Sequence, residues 1–429
     1  MGLAVYNLFL VLYRTGIIFV SPWNSKARLW VRGRKNILRK IRAAVRDRPP
    51  SEVIWMHCAS LGEFEQGRPV LEEMRKIKPN VCIVLTFFSA SGYEIRKNYE
   101  GADHIFYLPL DSYQNARSFI DIIKPNLVLW VKYEYWYYYL TQLKKRAIPV
   151  LLISGIFRKD QLFFKWHGHL YRDMLWCFSH FFVQTIESKK LLGTIGLSGN
   201  VTVSGDTRFD RVIDIAGQFK SIPGIDTFCG EREVIVAGST WPDDEEELDH
   251  FANTHPEIKV IIAPHEIDAP HLQEIKKLFH HSIFYTEWEQ LLKTGNMAPP
   301  GKTSEGSSLP NILIIDNIGM LARLYKYATI AYIGGGFGDD GVHNVLEAAA
   351  YGKPVVFGPV YEKFVEAVEL LECGGAFSID NALELEEVFH ILLRSNHEYT
   401  KAGESAKSYV YLKRGAKEKI VNFIVENNC

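Results

Sequence analysis

No two of the chain's cysteines are spaced as C-x-x-C, and none stands at a cysteine/histidine spacing suited to zinc, although there are six (Cys58, Cys82, Cys177, Cys229, Cys373 and Cys429). Several lie inside apolar runs, so they read as buried thiols of a reducing compartment rather than as a disulfide or metal framework. Cys429 is the last residue rather than the fourth from the end, so no prenyl anchor is expected. An excess of charge is absent too: 49 basic residues face 50 acidic ones. Nothing in that average points to nucleic acid. No repeat of solenoid period is found.

What the chain has is length and apolar content. At 429 residues and 47% hydrophobic composition it exceeds one ordinary core and suits two domains of roughly 200 residues, with the cleft between them as the first place to look for function.

The first apolar stretch, Gly2 to Trp23, is interrupted by Asn7, Arg14 and a few small polar residues. At about 1.5 Å per residue it nearly crosses a hydrocarbon core. Lys26, Arg28, Arg32, Arg34, Lys35, Arg39, Lys40, Arg42, Arg46 and Arg48 follow, with Asp47 the only acid. By the positive-inside rule this side is cytoplasmic, and the cations suit anionic headgroups. A signal peptide would carry its basic residues before the apolar run. Residues 1–24 therefore read as a membrane anchor, with an interfacial helix left open by Arg14.

From Glu52 onward, short β-rich runs (VIWMHCA, VCIVLTF, HIFYLPL, NLVLWV, PVLLIS, FFVQT, VTVSG) alternate with amphipathic segments. The pattern restarts after a linker with EVIVAGS, KVIIAPH, SIFYTE, NILIID, TIAYIGG and PVVFGP. Such alternation predicts two doubly wound parallel α/β domains, 25–210 and 233–404, joined by a linker over 211–232 and followed by a C-terminal helix in 405–429 that crosses back to the first domain. The Gly, Ser and Pro-rich stretch 293–309 reads as a surface loop.

In open parallel sheets ligands gather beyond the carboxyl ends of strands. The strongest constellation there is Gly334-Gly335-Gly336-Phe337-Gly338, followed by His343, Asn344 and Glu347. Glycines permit close backbone approach, and a helix starting near His343 points free N–H groups at an anion, a phosphate cradle needing no metal. Its spacing is neither G-x-G-x-x-G nor G-x-x-x-x-G-K-[ST], which argues against a dinucleotide oxidoreductase and a P-loop NTPase. Glu347, one turn beyond Asn344, can accept both hydroxyls of a ribose or simply favour its helix dipole.

In the first domain, VIWMHCA runs into Ser60-Leu61-Gly62-Glu63, where Glu63 suits a general base or a helix N-terminal charge. His57 reads as a satisfied core histidine. Ser239 and Thr240 close the first strand of the second domain, as donor contacts or as caps of a helix near Asp243. His265 closes the next strand. Arg208 suits a bidentate phosphate or carboxylate contact, or a salt bridge at the domain junction. The aromatic run Tyr133 to Tyr139 reads as packing and cleft wall.

HCASLGE, GDTRFDR, GST and GGG…HNVLEAAAYGKPVVFGP, in that order behind an apolar N-terminus, resemble the 3-deoxy-D-manno-octulosonic acid (Kdo) transferases of Gram-negative lipopolysaccharide synthesis. The resemblance runs to about Glu366. It implies a GT-B glycosyltransferase, two Rossmann-like domains facing a cleft, with CMP-Kdo as donor, a lipid A precursor (lipid IVA) as acceptor, inverting transfer and no cofactor. It implies Glu63 as catalytic base, Ser60 and Gly62 shaping its turn, and Gly335, Gly336, His343, Asn344 and Glu347 at the CMP site. Two departures stand out: no arginine occupies the Pro264-His265-Glu266 corner, and Asp340-Gly341-Val342 precedes His343 where relatives often carry His-Gly-Gly.

Overall fold

The computed structural model describes residues 2–46, 51–132, 134–294 and 309–427, and it divides into two compact units, Met1–Arg211 with Arg414–Cys429, and Val212–Lys413. The first holds strands β1 (Val53–Cys58), β2 (Cys82–Phe87), β3 (His104–Tyr107), β4 (Leu127–Val131), β5 (Val150–Gly155), β6 (His180–Val183) and β7 (Val201–Val203), paired in parallel in the order β3-β2-β1-β4-β5-β6-β7. Every residue of β1, β2 and β4 is buried. Alternate residues feed two cores: Trp55, Val84 and Trp130 go to one face, Met56, Leu85 and Leu129 to the other. Burial on both faces is why these strands read as near-continuous apolar runs. The winding direction reverses between β1 and β4, the place where such sheets open a crevice.

The second unit repeats the plan with β8 (Val234–Thr240), β9 (Lys259–Pro264), β10 (Ser282–Phe284), β11 (Ile312–Ile314), β12 (Ile330–Ile333), β13 (Val355–Phe357) and β14 (Ala376–Ser378), in the order β10-β11-β9-β8-β12-β13-β14. Its reversal falls between β8 and β12. Thirteen strands match expected runs; β14 does not, being a three-residue edge strand with one buried position.

Three further segments differ from expectation. Residues 211–232 are not a bare linker: helix Thr207–Gly217 enters them and helix Ile225–Cys229 lies within them. The single helix expected over the C-terminal residues is two, Asn396–Leu412 and Ala416–Glu426, broken at Gly415, whose φ of 105° interrupts helical geometry. Gly415 and Lys417 N–H groups donate to Asp210 (2.7 and 3.0 Å), and Ile420, Val421 and Ile424 pack into the first unit's core. The loop expected over 293–309 lies almost wholly outside the described residues.

Helix α1 (Gly2–Val20) is long and apolar enough to cross a membrane by length and composition. One stripe of it is tied to the first unit. Tyr6 donates to Asp111 Oδ2 (2.6 Å), which also accepts the Tyr138 N–H (2.9 Å), while Oδ1 accepts that of Tyr139 (3.1 Å). Tyr138 donates to Asn7 (2.8 Å), and Tyr13 stacks on Phe88. Val5, Leu8, Phe9, Leu12 and Phe19 stay exposed. In α2 (Ser25–Arg34), Arg34 is no headgroup ligand. It is buried over the Trp30 ring, its guanidinium donates to the Leu108 and Phe88 carbonyls (2.9 and 2.7 Å), and burial lowers its pKa to about 9.

Asp111→Ala leaves two buried N–H groups and the Tyr6 hydroxyl without an acceptor, so denaturant unfolding should show a loss of about 2–4 kcal/mol. Tyr6→Phe should cost about 1 kcal/mol and expose α1 to limited proteolysis. Wild-type resistance in both variants would mean that α1 is not held by this contact.

Candidate functional site

In the first unit, β1 ends at Cys58 and helix α4 (Leu61–Ile77) begins two residues later. Ser60 is its N-cap, accepting the Glu63 N–H (3.4 Å), and Glu63 turns back so that Oε2 accepts the Ala59 N–H. Glu63 is therefore a helix-start carboxylate and, equally, a carboxylate fixed at the carboxyl edge of the sheet where the winding reverses. It is 7% exposed. Gly62 departs from its expected part in shaping the turn. A Cβ there would meet nothing closer than Ser60 Oγ at 4.0 Å, so the backbone does not require glycine.

His57 is fully buried but only half satisfied. Nδ1 pairs with Thr86 Oγ1 (2.9 Å), while Nε2 stands 3.4 Å from Glu134 Oε2 without hydrogen-bond geometry. Glu134, just beyond β4, was not singled out in the sequence because it lies inside an aromatic run. Of that run, Trp136 and Tyr139 are buried in the core as expected, and Tyr133 lies outside the described residues. Arg208 also belongs to this unit, where its Nε pairs with Asp206 Oδ2 (2.8 Å), the salt-bridge reading. The structure does not bring it into the unit that holds the other donor candidates.

In the second unit, β12 runs into Gly334, whose N–H continues the sheet to the Gly238 carbonyl (2.9 Å). Gly335 has φ 89°, and a Cβ on Gly336 would lie 2.5 Å from Gly358 N. The Gly335 N–H donates to the fully buried Asp244 (2.8 Å). Asp244 also accepts from Tyr332 (2.8 Å) and from the Trp241 N–H (2.9 Å), so one carboxylate binds the ends of β8 and β12. Burial raises its pKa and these donors oppose the rise.

Ser239 sits at a register shift with a left-handed φ of 56°, and Thr240 is buried, donating to Glu245 (2.8 Å). Neither caps the next helix, Pro242–Thr254, whose N-cap is Trp241. Glu245 pairs in turn with His271 Nε2 (3.0 Å). The helix expected near His343 starts at Leu346 and spans four residues, because Asn344 turns its side chain onto it: Oδ1 accepts the Leu346 N–H (3.3 Å) and Nδ2 donates to Glu347 (3.0 Å). His265 stacks on both His343 and Trp241, in a cluster of three near-parallel rings. Trp241 and Asp244 were missed in the sequence, where Trp-Pro-Asp-Asp reads only as a helix start. Among the described residues, no group of three or more His, Cys, Asp or Glu side chains is placed to hold a metal ion.

Two doubly wound parallel α/β units make up a fold of the GT-B type. A solved UDP-GlcNAc 2-epimerase from Neisseria meningitidis has the same fold, with a TM-score of 0.60 over 87% of this chain and 100% of its own at 19% identity. Residues 33–211 match the family described as 3-deoxy-D-manno-octulosonic-acid transferase (kdotransferase). A 3-deoxy-D-manno-octulosonic acid transferase of Aquifex aeolicus is 27% identical over 338 residues, 77% of this chain and 83% of its own. A bifunctional glycosyltransferase/methyltransferase of Fusobacterium nucleatum is 26% identical over 350 residues, 79% of this chain but only 52% of its own length. Residues 33–211, within the first unit, therefore carry the domain of the 3-deoxy-D-manno-octulosonic-acid transferase family.

Gly336→Ala should destabilise the second unit by about 1–3 kcal/mol or more, since the added methyl meets Gly358 backbone that cannot swing away. Gly338→Ala, where the nearest atom to a Cβ is 3.7 Å away, is the control. Equal thermal unfolding of the two would remove the close approach from the account.

Proposed function

We propose that the chain moves Kdo from CMP-Kdo to a hydroxyl of a lipid A precursor, lipid IVA, with inversion at the anomeric carbon. The observation that carries this reading is Glu63, a carboxylate held in place by the Ala59 N–H at the edge where the first sheet reverses, inside the segment that matches the family. In the reaction the acceptor hydroxyl gives its proton to Glu63 while its oxygen attacks the anomeric carbon. The bond from that carbon to the phosphate oxygen breaks, and CMP leaves with the electron pair. A positioned base contributes typically ~10²–10⁴-fold to such a step. Donor recognition falls to the second unit: Gly335 and Gly336 bring the backbone close, His343 lies beside them, and the Asn344–Glu347 pair meets the ribose. Ser239, Thr240 and His265 complete its wall.

The exposed face of α1 supports docking on the cytoplasmic leaflet of the inner membrane. With Tyr6 and Asn7 committed to the first unit, a helix lying along the leaflet fits better than one crossing it. The surrounding cations other than Arg34 suit anionic lipid.

Membranes carrying the chain, given a tetra-acylated lipid A precursor and CMP-Kdo generated in situ, should yield products heavier by whole Kdo increments, reduced about 10²–10⁴-fold in rate by Glu63→Gln. Transfer from a UDP-sugar alone would overturn the donor, and an undiminished Glu63→Gln would overturn the base. Gly62→Ala separates fold from function. Alanine inside a helix should stabilise by about 0.5–1 kcal/mol, yet transfer should fall if the open space above residue 62 receives the acceptor; a variant both more stable and fully active would exclude that.

A further inference from the structure

The ring cluster at the carboxyl end of the second sheet has a defined internal order. Trp241 Nε1 donates to His343 Nε2 at 3.0 Å, and the two rings are nearly coplanar, 13° apart with centroids 6.5 Å apart, as an edge-to-edge hydrogen bond requires. His265 lies over both, 4.7 Å from Trp241 and 4.5 Å from His343, at interplanar angles of 23° and 14°. The glycine turn also stands against this ring, for a Cβ on Gly335 would lie 2.8 Å from His343 Cδ2. The imidazole is thus stacked by His265 and crowded by backbone, with its in-plane direction set by the indole.

An indole N–H only donates, so the nitrogen facing it must be an unprotonated acceptor. A neutral imidazole with a bare Nε2 carries its proton on Nδ1. Protonating Nε2 would set two N–H groups against each other, and a cation there would also face His265. The groups around the ring are His265 beyond β9, Asp340 in the loop beyond β12, Asp244 under the Gly335 N–H, and Glu347 through Asn344. Burial, the largest cause, pulls the His343 pKa down to about 4; His265 also disfavours the charge, and Asp340 favours it.

We infer that Trp241 is a positioning residue that fixes His343 as the neutral Nδ1–H tautomer, so that the second unit offers a neutral hydrogen-bond donor, not a cation, to the phosphodiester of its nucleotide donor. The assignment of the ligand rests on the proposed transfer from CMP-Kdo; the tautomer stands on the geometry alone. A neutral donor has a chemical advantage here. Its bond to a singly charged diester is modest, and it strengthens as the departing phosphate gains charge, which favours the transition state over the bound donor. It also leaves binding unchanged across the pH range in which an ordinary histidine would titrate.

Two measurements on the full-length chain separate the tautomer from the ligand. With ¹⁵N-labelled histidine and His343→Gln for assignment, the His343 ring should show a protonated Nδ1 and bare Nε2 from pH 5.5 to 7.5. In Trp241→Phe, which keeps an aromatic ring under His265 but removes the donor, the ring should shift toward Nε2–H and titrate about one pH unit higher. A wild-type ring protonated on Nε2, or an unchanged signature in Trp241→Phe, overturns the inference whatever the enzyme transfers. The second measurement is calorimetric binding of the methyl ester of CMP, a phosphodiester with no titration of its own in this range. Wild-type affinity should be flat between pH 5.5 and 7.5, whereas Trp241→Phe should bind roughly 3–10-fold more weakly at pH 7.5 and recover as the pH falls. A wild-type chain with the expected tautomer but no affinity for this ester overturns the CMP reading and leaves the tautomer in place.

Discussion

Gly336 and Gly358 pass so close that neither has room for a side chain, and the second unit is arranged around that passage. A Cβ on Gly336 would meet Gly358 N at 2.5 Å, and one on Gly358 would meet Gly336 C at 2.7 Å. The Val360 N–H returns to the Gly336 carbonyl (2.8 Å) and the His343 N–H to the Gly334 carbonyl (3.0 Å). These bonds draw the segments after β12 and β13 together, and the Gly334 N–H, donating to the Gly238 carbonyl (2.9 Å), ties them to β8. Asp244 then closes the third side by accepting from Gly335 and Trp241. Such an arrangement offers backbone and fixed rings rather than long flexible side chains, so the proposed binding of a nucleotide there would cost little conformational entropy.

The first unit solves a different problem with a similar device. The proposed base is held by a helix start: Ser60 caps α4, and Glu63 folds back on Ala59. The capping role and the proposed catalytic role are therefore not rivals, since the bond that orders the helix also aims the carboxylate. Beside it, the buried His57 reaches toward Glu134 at the neighbouring strand end. At the far side of the same sheet, Asp111 gathers Tyr6 from α1 and the start of helix Tyr137–Lys145, so the apolar helix is a built part of this unit with one face left outward.

Much of this was legible from the sequence because strands buried on both faces leave unbroken apolar runs, and glycines at a strand end announce close backbone approach. Where the reading failed, the cause was long-range pairing or short length. β14 has three residues and one buried position, too little for a pattern. The helix after His343 is shortened by the Asn344 side chain, which competes for its first N–H groups. Gly415 hides between two amphipathic stretches of similar period. Asp244 lies 91 residues from Gly335, and the coplanar pairing of Trp241 with His343 spans 102; neither leaves a local signature.

Residues 334–347 are proposed to receive the nucleotide of a CMP-linked donor. Hydrogen–deuterium exchange of the full-length chain with and without saturating CMP tests it most directly. The account predicts slowed exchange confined to the segment after β12 and the turn at Trp241. Protection elsewhere, or protection of this segment by UDP and not by CMP, would contradict it.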